Sequence, residues 1–210
     1  SSSSTRTEEI SFSSISLTNL SADNTKVKFT NTINENPSRN GLNYDYMYNG
    51  AGVTLADFDN DGLDDIFFSG NDAANAIYKN LGNMEFEDVS SSALPNSNKW
   101  TFGVTIVDIN NDGYQDIYLC NSGPELDENK LRNELYINNG DFTFTENAKQ
   151  YGLDINSHSV QAAFFDYDKD GDLDVWINNH GNSKQINDLI NKTDAKNVSI
   201  NGPNRLDKVN

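Results

Sequence analysis

Three nine-residue stretches concentrate the side chains that could do chemistry: DFDNDGLDD at 57–65, DINNDGYQD at 108–116 and DYDKDGDLD at 166–174. Each carries an oxygen-bearing side chain at its first, third, fifth and ninth positions and glycine at its sixth. Calcium is held by loops of this kind, taking about six to eight hard oxygen ligands, with glycine where the chain turns sharply around the ion. The pattern predicts side-chain ligands Asp57, Asp59, Asp61 and Asp65 in the first loop, and Asp108, Asn110, Asp112 and Asp116 in the second. In the third they are Asp166, Asp168, Asp170 and Asp174. The backbone carbonyls of Leu63, Tyr114 and Asp172, at the seventh positions, complete the expected sets. Asp64 and the Asp172 side chain are expected to point outward. The second loop has an amide where the others have a carboxylate, so it is expected to bind calcium most weakly.

Other metals fit worse. An EF-hand needs a bidentate Glu at the twelfth position, and here that position holds Phe68, Leu119 and Ile177. Zinc would have only Cys120, His158 and His180 to use, and magnesium prefers to keep several waters. Without an ion, carboxylates packed into a tight turn repel one another. Calcium binding at three sites would therefore stabilise the fold by mass action, which implies a compartment rich in free calcium, outside the cell or in a periplasm.

The loops must be carried by strands. Each is flanked by β-branched and aromatic runs, as in GVTLADFDNDGLDDIFFSG, so each segment reads as strand, loop, strand. After the first two loops come AIYKNLGNMEFEDVS and ELYINNGDFTFTENA, each a further strand pair across a Gly-containing turn. The first loop residues, Asp57, Asp108 and Asp166, are 51 and 58 residues apart. Four strands per repeat at that period predict an all-β fold, a partial β-propeller of four-stranded antiparallel blades with the Asp-rich loops as hairpins. Blades are expected at 51–99, 100–157 and 158–210. The third is expected to be incomplete, with a polar insertion and a short helix around Gln185–Asn191. Residues 1–50 read as a Ser-rich tether with a strand candidate at Lys26–Thr32 and tyrosines at 44, 46 and 48. Closed propellers need about four to eight blades, so the chain is expected to be the N-terminal part of a longer propeller.

A net charge of −17 excludes nucleic acid and anionic membranes as partners, since both select basic surfaces. No apolar run approaches the roughly 20 residues of a membrane-spanning helix. Cys120, in the run IYLC, reads as a small buried hydrophobe. Trp176, inside a strand, is expected to pack between blades. His158 and His180 lie in no recognisable catalytic motif and read as hydrogen-bonded loop residues.

At these loops the chain resembles the FG-GAP/VCBS repeat propellers, the family that includes the integrin alpha-subunit head. YMYNGAGVTLADFDNDGLDDIFFSGN, NELYINNGDFTF and AAFFDYDKDGDLDVWINNH are particularly similar to large bacterial surface proteins related to cartilage acidic protein. The resemblance implies calcium at the aspartates named above and at Asn110, further blades, and a cell-surface setting, including an outer-membrane lipoprotein. It implies a non-enzymatic module that binds or scaffolds protein or glycan ligands, within an outer-membrane complex for example. The alternative is a calcium-dependent polysaccharide-active enzyme, a lyase-like propeller.

Overall fold

The computed structural model describes residues 16–124 and 127–181, and by backbone 204–209. The first sheet contains β1 (Val53–Ala56), β2 (Asp65–Phe68), β3 (Ala76–Asn80) and β4 (Phe86–Asp88), hydrogen-bonded in that order. The second repeats the plan with β5 (Trp100–Val107), β6 (Asp116–Ser122), β7 (Glu134–Asn138) and β8 (Phe144–Glu146). In the third, β9 (Ser159–Phe165) and β10 (Leu173–Asn179) pair, and β11 (Asn204–Val209) joins the free edge of β10. Every neighbouring pair is antiparallel. The expected helix at Gln185–Asn191 and the first fifteen residues of the 1–50 segment read as a tether lie outside the described residues.

Short chain reversals fix each sheet. In the β3–β4 turn Gly82, Asn83 and Met84 all have positive φ, at 81°, 51° and 62°. The side chain of Asn80 accepts from Gly82 N–H at 2.9 Å, and Asn138 accepts from Gly140 N–H at 2.9 Å in the β7–β8 turn. A side-chain amide two residues before the glycine thus satisfies the backbone that the bend exposes.

Strand alternation decides what packs where, because successive side chains point to opposite faces. From β2, Phe67 joins Ile117, Leu119, Tyr136 and Phe144 in an apolar cluster between the first and second sheets. The intervening residues of the second sheet, Tyr118, Cys120, Leu135 and Ile137, instead meet Ala162, Val175 and Ile177 of the third. Cys120 is fully buried there, as a small hydrophobe, and burial pushes its thiol pKa up to about 12. Phe58 meets Phe144 edge to face at 5.5 Å.

Two sequence expectations change. Lys26–Thr32 follows a single helical turn, Ala22–Thr25, and its side chains alternate between partly buried and exposed as in a strand, yet it joins no ladder. No described strand lies alongside to pair with it; the segment packs on the first sheet through its side chains, with Phe29 stacked on Phe68 at 4.8 Å. Trp176 is 46% exposed rather than packed between sheets. Its neighbours Val175 and Ile177 take the face toward the second sheet, so alternation turns the indole to the other side.

Sheets two and three approach closely at Gly103, where an added Cβ would lie 2.2 Å from the carbonyl oxygen of Val160. Gly103→Ala is therefore expected to destabilise the protein by about 1–3 kcal/mol through overpacking, read from urea denaturation; an unchanged midpoint would contradict the close approach.

Candidate metal centre

The three loops connect equivalent strands, β1 to β2, β5 to β6 and β9 to β10, and they are built by the same internal hydrogen bonds. Asp57 accepts from Asp61 N–H at 3.0 Å and from Gly62 N–H at 2.8 Å; Asp108 accepts from Asp112 and Gly113 at 3.0 and 2.9 Å. Asp166 accepts from Gly171 at 3.1 Å. The fifth-position carboxylate then caps the seventh N–H, Asp61 to Leu63 at 2.9 Å, Asp112 to Tyr114 at 2.9 Å and Asp170 to Asp172 at 3.3 Å. Such turns require left-handed backbone at two places. Asn60, Asn111 and Lys169 have φ of 58°, 57° and 63°, and the sixth-position glycines, Gly62, Gly113 and Gly171, have φ of 88°, 88° and 93°. Glycine adopts that conformation without steric cost.

The ninth aspartate is different in kind. Asp65 and Asp116 are fully buried and Asp174 is 7% exposed. One oxygen of Asp65 accepts from Phe58 N–H at 3.0 Å and the other from Asn80 N–H at 2.8 Å, so a single carboxylate ties the start of the loop to the end of β3. Asp116 does the same with Ile109 and Asn138, at 3.0 and 2.8 Å, and Asp174 accepts from Tyr167 at 2.8 Å. Burial pushes the Asp65 and Asp116 pKa up to about 6, against the lowering effect of those N–H donors.

The remaining carboxylates converge. Asp57, Asp59 and Asp61 can each place an oxygen within 4.8 Å of the others, as can Asp166, Asp168 and Asp174. Asp172 brings its own carboxylate to Asp168 and Asp170 within the same limit, although sequence reasoning expected it to point outward. In the second loop Asn110 donates its side-chain N–H to Asp112 at 2.8 Å, so one would-be ligand is hydrogen-bonded to another. The carbonyls of Leu63, Tyr114 and Asp172 sit at the turn that follows each glycine. Asp64 is exposed, as expected. One oxygen of Asp59 is buried and has no hydrogen-bond partner among the described residues. A buried, unpaired carboxylate oxygen is costly, and a cation in the cluster is the chemistry that would relieve it. An all-oxygen donor set suits calcium rather than zinc.

Lys79, on β3, forms an ion pair with Asp59 and lies 3.4 Å from Asp61. Sequence reasoning did not point to it, because it reaches the loop from two strands away. The second sheet carries Ile137 at the matching register, so only the first of these two loops receives an ammonium.

The two histidines meet at the far ends of the strands. Ser122 Oγ lies 3.0 Å from His158 Nδ1, 3.0 Å from His180 Nε2 and 3.0 Å from Tyr44 Oη. His180 Nδ1 lies 3.0 Å from the Gly181 carbonyl oxygen. That carbonyl can only accept, so Nδ1 carries the proton and Nε2 accepts from a hydroxyl. Both rings are thus hydrogen-bonded, the role the sequence gave them. His180 also lines a cavity of about 440 Å³ between the inner strands, beside Phe102, Val104 and Gln161.

A model of the FG-GAP-like repeat matches residues 57–119 and 122–177, more than half of the chain. The chain belongs to the FG-GAP-like repeat family. Cartilage acidic protein 1 of Xenopus tropicalis is 31% identical over 134 residues, covering 62% of this chain and 20% of that protein. The chain therefore spans about a fifth of that relative's length. Antiparallel four-stranded sheets are consistent with FG-GAP propeller blades, and the first two sheets of this chain are of that kind. No helix among the described residues is long and apolar enough to cross a membrane.

Burial and mutual repulsion lower the His158 pKa to about 4, and burial lowers that of His180. Both are depressed below the unfolded value of about 6.5, so their stabilising contribution is complete above that pH and is lost as pH falls toward about 4. Asp65 and Asp116, with raised values, push stability the other way over the same range. The double variant His158→Asn with His180→Asn is accordingly expected to lose less stability than the parent between pH 7 and pH 4, measured as urea midpoints at each pH.

Proposed function

We propose that the chain is a calcium-binding part of a β-propeller that works outside the cell as a module for binding protein or glycan, and not as an enzyme. The observation that carries this reading is the convergence of Asp57, Asp59 and Asp61 around a buried, unpaired oxygen of Asp59, repeated as a carboxylate cluster in the third loop. Asp57, Asp59, Asp61 and Asp65, with the Leu63 carbonyl, would hold the first ion. Asp108, Asn110, Asp112, Asp116 and the Tyr114 carbonyl would hold the second. Asp166, Asp168, Asp170, Asp174 and the Asp172 carbonyl would hold the third. Bound calcium would neutralise the carboxylates and stiffen the loop ends, and stiff loops lose less entropy when they engage a partner. At a calcium level a hundredfold above its Kd, each site contributes about 2.7 kcal/mol of stability, which requires a calcium-rich compartment such as the cell surface. The repeat family and the relation to cartilage acidic protein support a binding module over an enzyme.

The loops are not equal. Lys79 occupies the first cluster, so calcium must displace an ammonium there. Isothermal titration should register three calcium sites, with Asp59→Asn and Asp168→Asn each removing one; heat with no saturable calcium component would overturn the proposal. Lys79→Met should tighten the first site by roughly fivefold, a gain of about 1 kcal/mol, the scale of a partly exposed ion pair. Asn110→Asp should tighten the second, and a weakened second site in that variant would contradict its assignment as a ligand.

A further inference from the structure

The first two loops touch each other. Asn60 sits between Asp59 and Asp61 with left-handed backbone, φ 58°, and its side-chain amide donates to the carbonyl of Gly113 at 3.2 Å. Gly113 is the sixth residue of the second loop; its N–H donates to Asp108 at 2.9 Å, and its chain neighbours are Asp112 and Tyr114. A second contact is buried. Asn138, 2% exposed, donates from its side-chain amide to the Phe58 carbonyl of the first loop at 2.8 Å and to the Gln115 carbonyl of the second at 3.2 Å. The same residue gives its backbone N–H to Asp116 at 2.8 Å, and Phe58 gives its own to Asp65 at 3.0 Å. The ninth-position carboxylates of the two loops are thus joined through Asn138 and Phe58.

The corresponding asparagine of the first sheet makes only the local half of these bonds. Asn80 gives its backbone N–H to Asp65 at 2.8 Å and its side-chain amide to the Asp64 carbonyl at 2.8 Å, and it accepts from Gly82. The bond to the loop of another sheet is what Asn138 has in addition. Asn80 therefore shows what the position does for its own sheet, and the difference between the two asparagines isolates what passes between loops.

We infer that Asn138 and Asn60 couple calcium binding at the first loop to calcium binding at the second, so that an ion in either loop tightens the other; the inference rests on the calcium reading above. An ion in the first loop holds Asp59, Asp61 and Asp65, and with them Asn60 and the Phe58 carbonyl. The second loop then meets fixed partners at Gly113 and Asn138, so less conformational entropy is left for its own ion to remove. Were the first loop to move instead, the Asn138 amide and the Phe58 carbonyl would be buried without each other, each bearing the cost of its lost hydration. Repulsion between two bound dications acts against the coupling, and it is screened over about 8 Å at physiological salt. Neither asparagine supplies a calcium ligand; both are positioning residues.

Calcium titrations of the 210-residue chain, followed by amide NMR at physiological salt, test this, with Gly62 N–H reporting the first loop and Gly113 N–H the second. Asp59→Asn disables the first loop, and in the parent chain it should weaken the calcium affinity read at Gly113 by about fivefold, the lower end of the range for coupled sites. By linkage, Asp108→Asn should weaken the affinity read at Gly62 by the same factor. When Asn60→Gly and Asn138→Ala are both present, Asp59→Asn should weaken the Gly113 affinity by less than about twofold. Asn60→Gly alone, which keeps the left-handed backbone, should give an intermediate effect, so the test survives if Asn138→Ala does not fold. Asn80→Ala loses the matching local bonds and no contact between loops, and it should keep the full effect. Asp59→Asn removes the same charge in every background, so differences between backgrounds report the asparagine contacts alone. Saturable calcium shifts at both glycines with a Gly113 affinity that ignores Asp59→Asn would overturn the coupling and leave the calcium sites standing. An effect that persists undiminished in Asn60→Gly would do the same, and no saturable shift at either glycine would overturn both.

Discussion

A buried carboxylate holds each loop of this protein in place. Asp65 and Asp116 use both oxygens to accept backbone N–H groups, one from the loop's second residue and one from an asparagine at the end of the next strand but one. Removing either acceptor would leave two buried donors unsatisfied, a penalty of about 1–3 kcal/mol for each. Because the carboxylate bridges the loop and the third strand of its own sheet, it couples the loop's shape to the sheet's registration. Asn138 extends the tie across sheets by donating from its side chain to the Phe58 carbonyl at 2.8 Å. The loop of one repeat is thereby positioned by the next.

Around that fixed point the rest of the loop is an exercise in placing negative charge. The first-position carboxylates spend their oxygens on the fifth and sixth N–H groups, so part of the repulsion expected from sequence is absorbed by the backbone itself. What remains differs from loop to loop. The first has an ammonium from Lys79 and a buried oxygen of Asp59 that no hydrogen bond reaches. The second has an amide, Asn110, that donates to the carboxylate of its neighbour Asp112. The third is the most solvent-exposed, because no described sheet covers the face of the third sheet turned away from the second. Ligand count alone would rank the first and third loops together; the environment separates them.

The loops were legible in the sequence because their grammar is local: oxygen residues at fixed offsets, a glycine where φ must be positive, and strand-like runs on either side. Strand pairing within each repeat followed from the same short range. What sequence could not supply was anything set by a neighbour several strands away. Lys79 enters the first cluster across a sheet, and Ser122 gathers Tyr44, His158 and His180 from segments far apart in the chain. Trp176 illustrates the opposite limit. Its strand was identified, yet which side of the sheet it occupies, and whether that side is covered, depends on the packing of whole sheets. Lys26–Thr32 has strand alternation and still pairs with nothing described, since a strand is defined by its partner as much as by its own residues.

The ninth-position aspartates Asp65 and Asp116 hold their loops from within. Amide hydrogen exchange in calcium-free protein tests this most directly, at Phe58, Asn80, Ile109 and Asn138, the four residues whose N–H groups point at Asp65 and Asp116. All four should exchange as slowly as the centres of the strands they flank. Exchange at the rate of an open turn would show that the carboxylates do not hold those groups, and the common design inferred for the loops would fail.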